Sequence, residues 1–320
     1  VMARHVVVGA GAIGRATASA LVREGHEVLL ASRSGTGPDL AGARRVSVDA
    51  TDPAALTALA NGAASLVNAV NPNYTSWDRD WPPMASAFLE AAEASGAGLV
   101  TIGNLYGYGP VDGPIHARLP LNATGSKGRV RAQMWLAAKA AHDAGRVRAT
   151  EVRASDYFGP GASPTMSMLI RFVLAPAAAG KAIRPLDGSP DALHSWAYVP
   201  DIGELAARLA TGDEGWGRAW HVPSGMPRSL AQVATDAAAY AGRPAPTIRV
   251  LPRVVRTAMG AVIPVVRALE ETAYQREHDF IVDASETEAA FGLTATPWED
   301  ALAATLSSMG VERAAATTRR

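Results

Sequence analysis

Apolar positions in the first half of the chain fall into two alternating textures. Short aliphatic runs, suited to strands buried on both faces, recur at residues 5–8, 27–31, 44–48, 65–70, 98–102 and 147–152. Between them, longer Ala-rich stretches with helical spacing predict helices over 12–24, 53–60, 82–95 and 126–144. Such alternation predicts an α/β fold built on a doubly wound parallel sheet with helices on both faces. Beyond Tyr157 the texture changes. Pro and Gly cluster in "FGPGASP", "RPLDGSPD" and "HVPSGMP" between isolated helical segments, which predicts a smaller, partly discontinuous C-terminal substrate domain. The expected division gives residues 1–156 and about 192–212 to a nucleotide-binding domain, and about 157–191 with 213–320 to the substrate part. The tail "AAATTRR" reads as frayed.

Composition narrows the partner. With 320 residues, 48% of them hydrophobic, the chain can bury a full core as one large domain or two coupled ones. Its 30 basic and 30 acidic side chains cancel, so no net field draws nucleic acid or a membrane surface, and a small-molecule substrate is expected. The lack of cysteine excludes disulfides, thiolate metal sites and a Cys nucleophile, and no metal site is expected. No secretory pattern and no run of membrane-spanning length is visible, which makes a soluble, cytoplasmic protein the expectation.

The first strand and helix meet in "HVVVGAGAIGRATA", where Gly9, Gly11 and Gly14 form G-x-G-x-x-G in the strand-to-helix context that binds a dinucleotide. Gly9 allows the tight turn and Gly11 lets the backbone approach a pyrophosphate; Gly14 lets helix and strand pack closely. Ala12 and Ile13 open the helix, whose first N–H groups face the phosphates. The second strand ends in "LLASRSG", so Ser32, Arg33 and Ser34 stand where a carboxylate would hold the ribose 2′-OH of NAD. A guanidinium flanked by hydroxyls suits a 2′-phosphate, and NADP (NADPH) is expected over NAD.

In "VDATD", Asp49 is placed to accept from an adenine amino group, and Asp52 before Pro53 reads as a helix cap. Ala69 and Val70 are small enough for a cofactor to lie across the end of the fourth strand. Asn71, Asn73, Tyr74 and Trp77 follow on a loop at the carboxyl edge of the sheet, where ligands bind in this architecture. Tyr74 and Trp77 read equally as substrate contacts or packed loop aromatics.

The ordered set "GAGAIGRATA", "VDATD", "NLYGYGP", Lys127 at a helix start and "RASDYFGPG" resembles extended short-chain dehydrogenase/reductases, the NAD(P)-dependent epimerase/dehydratase family. The resemblance spans roughly residues 4 to 225 and implies a Rossmann domain, a small substrate domain, and dimerisation through two helices of the main domain. It also implies catalysis by Ser or Thr, Tyr and Lys, the Tyr four residues before the Lys. Here Asn104 stands for the Ser or Thr, and Ala123 for the Tyr. By position, Ala154 and Ser155 come near the nicotinamide amide. Asp156 replaces the family's Asn, and His194 falls where some members hold a substrate contact, although a structural His is the plainer reading.

With this modified triad, Lys127 can bind nicotinamide ribose hydroxyls and lower the pKa of a nearby acid. At an ordinary pKa of about 10.4 it is a poor proton donor. Asn104 can polarise a carbonyl as a neutral donor. If the chain stays extended past the fifth strand, Tyr106 points where Asn104 points and becomes the candidate acid. Tyr108 shares that face but reads as structural, and Tyr74, Thr124 or a water held by Ser126 are alternatives. Arg129 and Arg131 read equally as solvated charges or as part of a basic turn, "KGRVR", facing an anionic partner such as the cofactor phosphates. Three function classes follow: an NADP(H)-dependent oxidoreductase or epimerase acting on a carbonyl or alcohol of a small, specialised metabolite; a redox-neutral isomerase, dehydratase or cyclase with a structural nucleotide; or a nucleotide-sensing binding protein.

Overall fold

The structure, a computed structural model, describes residues 2–37 and 39–315; most of the "AAATTRR" tail lies outside them. The tail's first residue, Ala314, donates its N–H to the Tyr240 carbonyl at 2.8 Å.

In chain order the first half supplies β1 (Arg4–Val8), α1 (Ala12–Arg23), β2 (Glu27–Ser32), β3 (Ala43–Ser47), α2 (Pro53–Ala60), β4 (Ser65–Asn68), α3 (Trp77–Ser95), β5 (Gly98–Asn104), α4 (Ser126–Asp143) and β6 (Ala149–Ala154). The later part supplies β7 (Tyr157–Phe158), α5 (Ala175–Ala178), β8 (Leu193–His194), β9 (Ala197–Tyr198), α6 (Val199–Thr211), β10 (Ala219–His221), β11 (Arg228–Ser229), α7 (Leu230–Tyr240), α8 (Arg253–Val262) and α9 (Pro264–Glu270). One seven-stranded sheet runs β10-β6-β5-β4-β1-β2-β3, and every pair in it is parallel. This is a Rossmann-like α/β fold.

The central strands are apolar on both faces because both faces are covered. Ala18 and Leu21 of α1 join Ile202, Leu205 and Leu209 of α6 on one side, over Val7, Val67 and Val100. On the other, Leu56 of α2, Phe88 and Ala91 of α3 and Ala141 of α4 cover Val6, Val8, Leu66 and Leu99. A Cβ on Gly203 of α6 would collide with the backbone of Ala16, so the two helices on the first face approach as closely as glycine allows. The later part of the chain has a core of its own, with Phe158, Ile170, Leu174, Trp196, Val233 and Leu306.

Three expectations shift. The seventh strand, β10, comes from the stretch assigned to the substrate part, because Trp220, His221 and Val222 are buried against β6. Trp77 is not on a loop: α3 begins there, five residues before Pro82, and carries both Pro82 and Pro83 inside it. Those prolines face solvent, and so do Asp78 and Arg79, whose carbonyls lose their helical donors and meet water instead. Finally, the chain does not stay extended past Asn104 but closes a short 3₁₀ turn over Tyr106–Tyr108.

Residues 280–283 stitch two distant pieces together. Ile115 exchanges backbone bonds with Ile281 and Asp283, and β8 with Phe280, at 2.8 to 3.0 Å.

Candidate active site

A single cleft of about 1390 Å³ lies along the carboxyl ends of the strands. Gly9, Gly11, Ala12 and Ile13 line it after β1, Ser32 and Arg33 after β2, and Asp49 after β3. Ala69, Val70 and Asn71 follow after β4, Asn104 and Tyr106 at and after β5, and Ala154, Ser155 and Asp156 at and after β6.

The three glycines act differently. Gly9 sits at φ +115°, and a Cβ there would strike the Ala69 carbonyl; a Cβ on Gly14 would strike the Gly9 carbonyl. A Cβ on Gly11 would meet no other part of the described chain within 4 Å, so the space beside it is open to a ligand. No side chain caps α1 and no acid stands in its first turn, which leaves its N–H groups to the cleft. Arg15 in that turn also lines the cleft and donates to the Gly161 carbonyl at 3.4 Å.

At the other end of this half, Ser32 to Thr36 form a hydroxyl-rich turn. The Gly35 N–H bonds to the Ser32 carbonyl at 3.2 Å, Ser34 and Thr36 hydroxyls meet at 2.8 Å, and the Ser47 hydroxyl holds the Arg33 carbonyl at 2.7 Å. The Arg33 side chain is exposed. Asp49 accepts from the Thr51 N–H at 2.9 Å and its hydroxyl at 2.8 Å through one carboxylate oxygen. Those bonds, with the Arg33 charge as a smaller contribution, lower its pKa.

At the reacting end, Asn104 Oδ1 accepts from the Tyr106 N–H at 3.1 Å, which leaves the amide NH₂ as the group the cleft can use. Tyr106 reaches the same wall through the turn rather than through strand alternation. Its ring stacks on Trp77 at 5.8 Å. Burial pushes its phenol well above the ordinary value, Tyr74 and Asp156 add to this, and Arg276 opposes it. Tyr74 also lines the cleft; its hydroxyl is 3.3 Å from Thr272 Oγ1, and burial raises its pKa. Both phenols therefore hold their protons at neutral pH. Trp77 is buried, donates to the Pro72 carbonyl at 3.2 Å and packs edge-on against Trp81. Tyr108 is structural: its hydroxyl meets His221 Nε2 at 2.8 Å and receives a bond from Arg153 at 2.6 Å.

Two expected contacts lie off the cleft wall. Lys127 is buried, with Nζ 3.7 Å from Glu271 Oε2 and 4.8 Å from the centre of the Tyr74 ring. Glu271 also accepts from the Lys127 N–H at 2.7 Å and the Ser126 hydroxyl at 3.0 Å, so a distant acid caps α4 and holds its lysine. His194 is buried between Trp196 and Phe280, with Nε2 3.0 Å from Ser155 Oγ and Nδ1 3.0 Å from the Gln275 carbonyl. Both nitrogens are engaged and burial lowers its pKa, so it orients Ser155 instead of facing a ligand. Asp156 does line the cleft; its Oδ2 is buried with no hydrogen-bond partner among the described residues, 3.7 Å from His194 Nε2.

Sequence reasoning missed Arg15, Glu271 and Arg276, whose partners are far away in the chain, and it left Arg131 open between a solvated charge and a contact to the cofactor phosphates. Arg276 binds Asp187 through two 2.6 Å bonds beneath the Asp156–Tyr106 end. The opposite wall is apolar, with Met166, Met168, Phe172, Met259, Val266 and Leu269. Among the described residues no cluster of three or more His, Asp or Glu could hold a metal ion, and no helix is long and apolar enough to cross a membrane.

Known proteins with this architecture share it along nearly the whole chain. UDP-glucose 4-epimerase from Brucella ovis, solved in complex with NAD, superposes with a TM-score of 0.78 at 16% identity, covering 98% of this chain and 100% of that one. DesIV, a dTDP-glucose 4,6-dehydratase from Streptomyces venezuelae solved as a double mutant with NAD and DAU bound, gives 0.75 at 19% identity over 97% of each chain. WbmH from Bordetella bronchiseptica, in complex with NAD⁺, gives 0.71 at 20% identity over 97% of this chain and 99% of its own. Curated protein sequences give no significant match. Residues 5–222 match the NAD dependent epimerase/dehydratase family, and the chain belongs to that family.

Proposed function

We propose that the protein is a nicotinamide-dinucleotide-dependent oxidoreductase or epimerase acting on a carbonyl or alcohol group of a small molecule, with NADP(H) preferred to NAD. One observation carries the reading: a single cleft runs unbroken from the glycine turn to the Asn104–Tyr106–Asp156 cluster. The residues present fit a dinucleotide. Gly11 is an open cradle beside the uncapped start of α1, and the small side chains of Ala69 and Val70 leave room for a cofactor across the end of β4. The preference for NADP(H) rests on Ser32, Arg33 and Ser34, an exposed guanidinium among hydroxyls with no acid at the end of β2. The solved neighbours named above hold NAD, and the choice is put to experiment below.

When bound, the dinucleotide supplies hydride chemistry. The chain's own residues do the rest. The Asn104 amide polarises the substrate oxygen, Tyr106 supplies a proton to it, and Ser155, held by His194, orients the nicotinamide end. The methionine-rich wall accepts an apolar body, so the substrate pairs one reactive oxygen with an apolar frame.

A second reading is favoured by the place of Lys127 behind the cleft wall: a redox-neutral isomerase, dehydratase or cyclase in which the nucleotide is structural. Titration with NADPH, NADP⁺, NADH and NAD⁺, followed by nicotinamide absorbance with a panel of ketones and alcohols, separates the two. The expected result is tighter binding of the phosphorylated pair and turnover with at least one apolar carbonyl compound. Tight binding without turnover in either direction overturns net oxidation or reduction and leaves a redox-neutral reaction. Equal affinity for the two pairs, unchanged in Arg33→Ala, removes the phosphate clamp.

A further inference from the structure

The floor of the cleft holds a buried cation that no acid pairs with among the described residues. Arg131 stands one turn beyond Lys127 on α4, is 7% exposed, and lines the cleft that Lys127 does not. Its guanidinium lies 4.8 Å from the centre of the Trp77 ring and 4.2 Å from that of Trp81. The aromatic faces offset part of its desolvation, which explains how the charge is tolerated there. Its hydrogen bonding is incomplete. One terminal nitrogen donates to the Ile102 carbonyl at 3.3 Å, and Nε has no partner among the described residues. Glu151, the acid whose charge acts on it most, is instead held by Arg153 at 2.7 Å. Burial accordingly lowers Arg131 to about 10, with Glu151 and the neighbouring Tyr106 opposing.

A buried charged donor left unmade is costly and is conserved in a fold only at the expense of stability. The guanidinium lines the cleft, so an oxygen-rich ligand there adds bonds through a terminal nitrogen and offsets part of that cost. Lys127, by contrast, already has Glu271 and the face of Tyr74. We infer that Arg131, and not Lys127, is the cation of the reacting end: it donates to oxygen atoms of the bound dinucleotide and sets its positive charge beside Tyr106. A cation in that place stabilises the phenolate left when Tyr106 gives up its proton. Tyr106 from the turn after β5 and Arg131 one helical turn beyond Lys127 thus take the roles that the family resemblance assigns to positions 123 and 127. The inference rests on the cleft being a dinucleotide site.

The test is calorimetric titration of wild type, Arg131→Met, Arg131→Lys and Lys127→Met with NADP⁺ or NAD⁺, whichever wild type binds more tightly. The matching half-molecule, adenosine 2′,5′-bisphosphate or AMP, serves as a control. Loss of a charged hydrogen bond predicts about tenfold or greater weakening of the dinucleotide in Arg131→Met. The half-molecule is expected to bind as in wild type, Arg131→Lys to fall between the two, and Lys127→Met to bind both ligands normally. Normal dinucleotide binding by both Arg131 variants overturns the inference. Equal loss of both ligands, or loss in Lys127→Met in place of Arg131→Met, does so too. Should Arg131→Met fail to fold, Arg131→Lys alone decides, since it keeps the charge and lacks Nε. If wild type binds no dinucleotide at all, it is the proposed function that falls, which is distinguishable from normal binding in the variants.

Discussion

Tyr106 and Tyr108 show how far two residues two apart can diverge once the backbone turns. Tyr108 is locked between His221 and Arg153, whereas Tyr106 lines the cleft with a proton that burial keeps on it. Tyr106→Phe is expected to lower kcat by about 10²–10⁴-fold, the usual contribution of proton transfer, with dinucleotide affinity unchanged. An unchanged kcat would move the donor to Tyr74 or water. At this scale the sequence was legible where a residue's job is local. Gly9 and Gly14 follow from what a tight turn and close packing demand of the backbone, whereas the fold itself places no such demand on Gly11. Tyr106 was reached from a wrong premise, an extended chain that is in fact a 3₁₀ turn. Which cation of "KGRVR" faces the cleft was not legible, because Glu271, 144 residues away, decides it by capturing Lys127.

Elements repeat the lesson at larger spacing. Helix α2 starts where its own residues say: the Asp52 carboxylate accepts from the Ala55 N–H at 3.0 Å, and Pro53 stands in the first turn. Asp52→Ala should cost about 1 kcal/mol of unfolding free energy in a denaturant titration, with no effect on catalysis. An effect below the error of that titration would mean that packing of Leu56 and Ala60, and not the cap, fixes the helix start. Helix α3 was misread because Pro82 looks like a first-turn proline. Its real start at Trp77 comes with Asn73 closing the preceding turn by accepting from the Thr75 N–H, and with Asp78 and Asp80 matching the positive end of the helix dipole. Helix α4 carries no acid in its own first turn. Its cap comes from beyond α9, a tertiary partner that no local pattern reveals.

For the whole molecule, parallel order and helix placement followed from the alternation of apolar runs, while the edge strand β10 did not, because three residues carry too little pattern. Three buried histidines, His194 and two others, give the fold a pH dependence. His5, 2.8 Å from the Ser65 hydroxyl, and His221, between the Tyr108 hydroxyl and the Asp283 carbonyl, are each lowered to about 4, chiefly by burial. In the unfolded chain they take up protons near their ordinary value of 6.5. Between those values the unfolded state binds more protons, so unfolding free energy is fully present above pH 6.5 and falls as pH drops toward 4. Denaturant titrations across that range should show the decline, and His221→Gln should show a shallower one; an identical slope would locate the titrating groups elsewhere. His221 also bonds, through Asp283, to the 280–283 segment that ties Ile115 to β8. Because a chain leaves the ribosome N-terminus first, β1 to β6 can assemble long before that segment exists. The loop carrying Tyr108 and the bed of His194 then stay unlatched until late in translation, so a nascent chain would acquire its nucleotide-binding half well before a finished reaction chamber.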